Sequence, residues 1–326
     1  MTFLKVSGVR KQVDQNFTLR DIKLSQNKLQ KIAVAGETGS GKSTLLKTIA
    51  GMSQPDKGEV QFENKPVYDK VEKLIGGHPG IAYLSQHFEL PKFLRVEQVL
   101  SYANTLPQQD ATRLYKICQI DHLLSRKTDQ LSGGEKQRIA MARLLISSPR
   151  LLLLDEPFSH LDLVHKNTLK AVIDDLGAKL KITCVLVSHD PDDTLAWADK
   201  IIVLKDGKIV QQGSPEKLYR EPANEYAAGL FGKYNLINTK KAPVAYKKLA
   251  GKPGRKAILV RPEYLQVTSK GRNTLAGKVT HISFFGSHRE AVVELPEMSL
   301  TVRTNRAVKT GDAVHISCSK KDLHFV

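Results

Sequence analysis

No apolar run in these 326 residues approaches the roughly 18–20 that a membrane span requires; a typical candidate, Leu151 to Leu154, stops at Asp155. Cysteine is scarce. Cys118, Cys184 and Cys318 are scattered with no metal-ligand spacing, which argues against a disulfide framework and agrees with a reducing compartment. Cys184 lies in a strand-like run and reads as a small buried hydrophobe. Low-complexity tracts are missing, and so is a secretory leader pattern, because Met1-Thr2-Phe3-Leu4-Lys5 runs directly into a strand-like segment. The expectation is a protein made and kept in the cytosol that meets a membrane only through a partner. Acidic residues are also in deficit: 33 Asp and Glu face 50 Lys and Arg, and residues 237–326 alone carry 17 basic against 6 acidic side chains. That basic tail suits nucleic acid, an anionic membrane surface, an acidic partner, or a solvated face with no dedicated ligand.

What is present points to a phosphate site. Gly36-Glu37-Thr38-Gly39-Ser40-Gly41-Lys42-Ser43-Thr44 has glycine, lysine and hydroxyl at every place a P-loop requires. An apolar run, Lys31–Ala35, precedes it, and an apolar-periodic stretch, Thr44–Ala50, follows. Glycines let successive N–H groups turn inward on an anion, and the helix start adds its positive end. Lys42 is placed to reach the outer phosphates and Ser43 to ligate Mg²⁺. The chain is expected to bind a nucleoside triphosphate.

With 41% hydrophobic and 25% charged residues, the composition is globular and the length allows one large domain plus a small one. Residues 1–30 alternate apolar and polar positions, with Phe17–Leu19 and Ile22–Leu24 expected as antiparallel strands. Lys31–Ala35, Ile81–Leu84, Leu151–Leu154, Thr183–Val187 and Ile201–Leu204 are short continuous apolar runs, the pattern of a parallel sheet buried on both faces. Asp206-Gly207 predicts a hairpin after the last of them. Val96–Leu106, Ala111–Ile120 and Glu135–Ile146 read as helices of an inserted subdomain, and Ser214–Leu230 as a helical segment after the core. Lys-rich residues 238–256 read as a linker or irregular crossing. Beyond them, Ile258–Val260, Leu265–Val267, Gly277–Ile282, Glu290–Leu295, Leu300–Arg303 and Ala313–Ser317 predict a small barrel or sandwich.

Leu151–Leu154 ends in two acids, Asp155 and Glu156. At the carboxyl end of a buried strand, both can reach a phosphate crevice. Asp155 is placed to hold Mg²⁺ and Glu156 to orient or deprotonate an attacking water. Leu131-Ser132-Gly133-Gly134-Glu135-Lys136-Gln137 opens another helix with glycines and a capping serine, a second anion cradle. One triphosphate does not need two such cradles from one chain, whereas two chains can share the ligand.

Here the sequence resembles the nucleotide-binding subunit of ATP-binding cassette (ABC) transporters, through its LSGGEKQ string and over residues 3–236. The resemblance implies that Gln86 forms the glutamine loop, touching Mg²⁺ and facing the transmembrane partner. Asp162, in Ser159-His160-Leu161-Asp162, matches the loop that crosses to the second subunit. His189, in Val187-Ser188-His189-Asp190, matches the switch histidine near the γ-phosphate. Leu131, Ser132, Gly133, Gly134, Glu135 and Gln137 would then serve the partner subunit's ATP. Relatives usually stack adenine on an aromatic upstream of the P-loop; here that position falls near Val13 and the nearest aromatic is Phe17, so stacking and an aliphatic contact both stay open.

The tail has its own resemblance. Val260-Arg261-Pro262-Glu263, Gly277-Lys278-Val279 and Phe284-Phe285-Gly286 look like the accessory TOBE domain of solute-importer cassettes, whose relatives serve oligosaccharide, polyamine, ferric iron, sulfate and molybdate uptake. On the residues alone, Arg261 equally suits a pairing with an acid, and Phe284-Phe285 a place in the core. His281 and His288 flank the aromatic pair without a third ligand, and no metal site is read there.

The expected fold is α/β: a P-loop ABC ATPase core with a mostly parallel sheet, an antiparallel β subdomain and a helical subdomain (about 88–147) in residues 1–236, a linker at 237–254, and a small all-β, OB/TOBE-like domain at 255–326. The expected function is the ATP-hydrolysing subunit of an importer, peripheral on the cytoplasmic face of the membrane. It would act as a homodimer or with a paired cassette, on separate integral membrane permease subunits and, indirectly, with an extracytoplasmic solute-binding protein. Polyamine or ferric iron is the preferred solute, and no nucleic acid is expected. The alternatives are a soluble ATPase acting on ribosome or nucleic acid, and a solute-sensing regulatory ATPase. The first is disfavoured by the lack of a second P-loop and by the short span from Gln86 to Leu131; the second would require the tail to bind the solute. An exporter subunit is disfavoured by the TOBE-like tail.

Overall fold

A strand buried on both faces needs no polar residue along it, and the five apolar runs form such strands. The structure is a computed structural model describing residues 2–13, 17–68, 77–86, 89–159, 161–238, 257–271 and 274–326. It divides into two units, residues 1–215 and 216–326. The first runs β1 (Thr2–Val13), β2 (Phe17–Asn27), β3 (Ile32–Ala35), α1 (Lys42–Ile49), β4 (Lys57–Phe62), β5 (Lys65–Pro66), β6 (Ile81–Leu84), α2 (Val96–Ser101), α3 (Gln108–Ile117), α4 (Gly133–Leu145), β7 (Leu151–Asp155), α5 (Leu163–Leu180), β8 (Thr183–Val187), α6 (Pro191–Leu195), β9 (Lys200–Lys205) and β10 (Lys208–Gly213). Its main sheet has the order β10-β9-β3-β8-β7-β6, parallel except for the β9–β10 hairpin. Asp206 (φ 47°) and Gly207 (φ 72°) make that hairpin's turn with both residues left-handed, the conformation that matches strand twist.

Strand periodicity sorts the core. Leu151, Leu153, Val185 and Val187 join one apolar cluster with Leu45, Leu46 and Ile49 of α1. Leu152, Leu154, Cys184 and Leu186 join another with residues of α2, α3, α4 and α5. Each face of the sheet is therefore closed by a different set of helices. Asp155 continues the parity of Leu151 and Leu153, so it falls on the α1 side, where the P-loop lies.

Two local expectations change. Phe17–Leu19 and Ile22–Leu24 are parts of one strand, β2, paired with β1; Asp21 at φ 55° and register shifts near Val9 break the alternation that suggested two. The helix expected to Leu106 ends at Ser101. Beyond it, the Asn104 side chain accepts from Leu106 N–H at 2.9 Å, a local turn leading to Pro107, and α3 starts at Gln108. A four-stranded antiparallel sheet, β2-β1-β4-β5, forms the β subdomain.

The second unit follows with α7 (Pro215–Arg220), α8 (Glu225–Leu230), β11 (Asn235–Asn238), β12 (Ala257–Val260), β13 (Leu265–Thr268), β14 (Leu275–Phe284), β15 (Arg289–Leu295), β16 (Met298–Thr304), β17 (Ala313–Cys318) and β18 (His324–Phe325). Its sheets run β11-β12-β18 and β13-β17-β14-β15-β16. The packing boundary falls at 215/216 rather than 236/237, and buried Arg261 supplies the reason. Its guanidinium donates to the carbonyls of Tyr219, Ala228, Gly232 and Lys233 and lies 4.3 Å from the Tyr219 ring centroid. That fork gathers α7, α8 and the turn after them onto β12. Arg261 therefore pairs with backbone and an aromatic face, not with an acid. Phe284 and Phe285 are 73% and 49% exposed at the β14–β15 turn, so they are not core. The linker expected at 237–254 lies almost wholly outside the described residues.

Candidate functional site

Three motif loops leave neighbouring parallel strands at their carboxyl ends: the P-loop after β3, His189 after β8 and the acids at the end of β7. Gln86 follows β6, the next strand over, and is exposed. The carboxyl edge of an open parallel sheet is where such folds bind ligands, and here it collects residues spread over most of the first unit.

The P-loop curls because its glycines permit it. Gly39 and Gly41 have φ of 83° and 105°, where a side chain would be strained. Gly36 is needed for a different reason: a Cβ there would stand 2.3 Å from the Leu204 carbonyl oxygen of β9. Gly41 caps α1 with no side-chain hydrogen bond, so the helix presents its first N–H groups to the loop. Lys42 is buried and donates from Nζ to the carbonyls of Gly36 and Glu37, both at 2.8 Å. Burial pulls its pKa below the usual lysine value, against the opposing pull of Glu156, Asp155 and Glu37. Ser43, Glu37 and Thr38 are exposed, Thr44 is half-buried, and the Ser40 hydroxyl is buried with no hydrogen-bond partner among the described residues.

Asp155 is 3% exposed. One carboxylate oxygen, Oδ2, accepts from the Tyr83 hydroxyl at 2.8 Å, while Oδ1 finds no hydrogen-bond partner among the described residues. Burial first, and then this bond, push the Tyr83 phenol well above its ordinary pKa. The orphaned, buried Asp155 oxygen and the exposed Ser43 hydroxyl are both hard oxygen donors, the chemistry that fits a divalent cation such as Mg²⁺. Glu156 turns the chain at φ 50°, a left-handed conformation that costs a non-glycine residue about 1–3 kcal/mol and gathers at functional sites. Its Oε2 lies 2.7 Å from His189 Nδ1, with Glu156 largely buried and His189 68% exposed. With the carboxylate accepting, the proton of that bond sits on Nδ1, and Nε2 lies on the other side of the ring.

The signature segment stands at the head of α4. Ser132 caps it: its hydroxyl accepts from Glu135 N–H at 3.3 Å while Glu135 Oε2 accepts from Ser132 N–H at 2.7 Å. Burial works to raise the Glu135 pKa, but the Ser132 bonds and the charges of Arg126 and Arg138 hold it below the ordinary value. A Cβ on Gly133 would meet open space, whereas one on Gly134 would stand 2.7 Å from His165 Cδ2. Leu131 is buried in the helical cluster, and the Gln137 amide donates to the carbonyl of Pro157. These two side chains hold the loop in place instead of facing outward. Asp162 caps α5, accepting from His165 N–H at 3.0 Å and from the His165 ring at 2.6 Å; the His165 backbone bond leads the causes that lower its pKa. His160 and the side chains of Val13 and Phe17 lie outside the described residues.

Sequence reasoning missed a second layer. Lys166 and Lys170 of α5 each place Nζ 2.7 Å from buried Asp193, and Asp193 accepts from the Ser188 hydroxyl at 3.0 Å. Lys166 also pairs with Asp190, whose pKa ends lowered because Lys166 and the Asp192 N–H outweigh burial. This ionic knot fixes the residues on either side of His189. Only its i, i+4 lysines stand out in sequence, and those read as an ordinary helix face. Tyr83, three residues before Gln86, carried no signal of its own.

The ABC transporter family matches residues 19–159, and the TOBE domain matches residues 258–326. The sulfate/thiosulfate import ATP-binding protein of Bacillus cereus is 31% identical over 345 residues, spanning 96% of this chain and 95% of that one. The spermidine/putrescine import ATP-binding protein of Spiroplasma citri is 29% identical over 342 residues, spanning 99% and 97%. Among solved structures, CbiO1 of Clostridium perfringens, described as part of the ABC transporter complex CbiONQ, superposes with a TM-score of 0.60 at 28% identity, covering 68% of this chain and 92% of its own. Matched nearly end to end by import ATPases, and matching both the ABC transporter and the TOBE families, this chain belongs to the ABC transporter family as an importer-type ATP-hydrolysing subunit.

Proposed function

We propose that two copies of this chain close head to tail, each signature loop completing the other's P-loop site, and that the closure drives polyamine import through separate membrane permease subunits. One observation carries the pairing: the chain holds two anion cradles, at the heads of α1 and α4, and among the described residues it is the α1 cradle that has a buried lysine with the Asp155 and Glu156 carboxylates close to it. Leu163 and Val164, next to Asp162, support it, being 72% and 73% exposed where the loop would cross to the partner. Among the described residues no helix is long and apolar enough to cross a membrane. That fits a subunit held at the cytoplasmic face by its permease, with the solute-binding protein acting on the other side.

In this reading, Lys42 exchanges the carbonyls of Gly36 and Glu37 for phosphate oxygens as ATP enters. P-loop N–H groups, from Gly39 through Thr44, cradle the phosphates. Asp155, Ser43 and Gln86 would hold Mg²⁺, which supplies charge neutralisation at the phosphates when bound. Glu156 takes the proton of the attacking water, and His189, tethered to Glu156, presents Nε2 toward the nucleotide. Ser132, Gly133 and Gly134 offer the partner's ATP the N-terminus of α4. Polyamine as solute rests on the spermidine/putrescine relative, and the sulfate/thiosulfate relative is the rival.

Ser132→Arg tests the pairing, since it fills the α4 cradle with bulk while sparing the P-loop. Binding of ATP to the monomer should be unchanged, and the ATP-dependent dimer of a Glu156→Gln background, seen by size-exclusion with light scattering, should be lost. Dimers that persist in Ser132→Arg at ordinary ATP concentration would overturn the shared site.

A further inference from the structure

We propose that Tyr83 is a positioning residue for the metal site: its hydroxyl pins one oxygen of Asp155 so that the other stays free and aimed for a divalent cation. The proposal rests on the reading of Asp155 as a metal-holding residue and adds the group that orients it.

Topology brings the two together. β6 lies beside β7 in parallel, with Tyr83 paired to Leu153, so Tyr83 and Asp155 share a face and stand two residues apart along it. The Tyr83 ring packs on the apolar cluster beneath α1, which leaves its hydroxyl at the carboxyl edge, 2.8 Å from Asp155 Oδ2. The terminal torsion of an aspartate is broad and two-fold, so the backbone alone does not choose which oxygen faces the site. The single bond to Oδ2 makes that choice. Its consequence is visible as the buried Oδ1 with no hydrogen-bond partner among the described residues. A buried acceptor left unmade is unfavourable, and a cation relieves it. Outer-shell partners of this kind typically change metal affinity by about 10–100-fold when removed.

The substitution to make is Tyr83→Phe, which keeps the ring and its packing. Mn²⁺ serves as the probe, its free fraction read by electron paramagnetic resonance with full-length protein and a non-hydrolysable ATP analogue. We expect the Mn²⁺ dissociation constant to rise about tenfold or more, with analogue affinity in EDTA unchanged. In turnover assays, the Mg²⁺ requirement should shift upward while the rate at saturating Mg²⁺ recovers. Asp155→Asn is the companion variant. If it binds Mn²⁺ like the parent, the metal reading of Asp155 falls. If Asp155→Asn weakens Mn²⁺ but Tyr83→Phe does not, Tyr83 has no positioning role and the metal reading stands. Equal losses of metal and metal-free nucleotide binding in Tyr83→Phe would also overturn the proposal, by showing a general packing defect.

Discussion

Lys42→Met removes an ammonium but keeps an unbranched stem, so it separates what the charge does for the fold from what it does for ATP. In the folded chain, Nζ donates to two carbonyls at 2.8 Å, and bonds from a charged donor contribute about 1.5–3 kcal/mol each. Against this stands the penalty for burying the ammonium, several kcal/mol in effect, whose mark is the lowered pKa. The two terms oppose at similar size, so stability should change by only about 1–2 kcal/mol, a melting shift of a few degrees. Nucleotide binding is not balanced in this way. Each carbonyl bond is replaced by one to an anionic phosphate, in which both partners are charged, and moving from the low to the high end of the charged-bond range is a gain of about 1.5 kcal/mol per bond. Two such bonds give about 3 kcal/mol, or about two orders of magnitude in Kd. Calorimetric titration with a slowly hydrolysed ATP analogue, beside a thermal melt, reads both. A Kd within threefold of the parent would refute the phosphate role, and a collapsed melt would show the lysine to be chiefly a structural bond.

Glu156→Gln should keep ATP affinity and slow turnover by at least about a hundredfold, as expected for a lost positioned base; single-turnover hydrolysis near the parent rate would remove it from that role. Arg261→Lys should destabilise the second unit by about 2–4 kcal/mol, because an ammonium cannot serve four carbonyls and the Tyr219 face together. Urea unfolding followed by hydrogen exchange of β12 checks it, and an unchanged midpoint would contradict the tie. Glu135 and Asp190 have pKa values below their ordinary 4.5 and 3.8. For depressed acids the stabilisation is complete above the ordinary value and is lost as pH falls through the folded one. The melting temperature should therefore drop as pH falls below about 4.5, and Glu135→Gln should flatten the upper part of that slope; a slope unchanged in this variant would contradict the capping account.

Most of the core was legible because parallel strands buried on both faces show as uninterrupted apolar runs, and four of the five are followed by a loop whose residues suit phosphate chemistry. The runs ending at Ala35, Leu84 and Val187 are strands at their expected places, and Asp155 closes the strand that begins at Leu151. What escaped depends on pairs distant in sequence. Tyr83 reads as one more apolar strand residue until β6 is laid beside β7, and Asp193 reads as a solvated helix acid until Lys166 and Lys170 close on it. Arg261 escaped for the same reason: its partners are carbonyls, which no side-chain pattern announces. Gly134 was read as part of an anion cradle, yet the approach of His165 demands a glycine there in any case. For Phe284 and Phe285, the strand pattern left a core place open beside the TOBE resemblance, and their exposure next to the turn at Gly286 (φ 76°) removes the core reading.

The account turns on two chains sharing each nucleotide, and the direct measurement is ATPase rate per chain against protein concentration, with the oligomeric state followed by sedimentation. Shared sites predict a specific rate that falls toward zero as the dimer dissociates, with a second-order rise before the plateau. A specific rate that holds steady down to concentrations where only monomer sediments would contradict it.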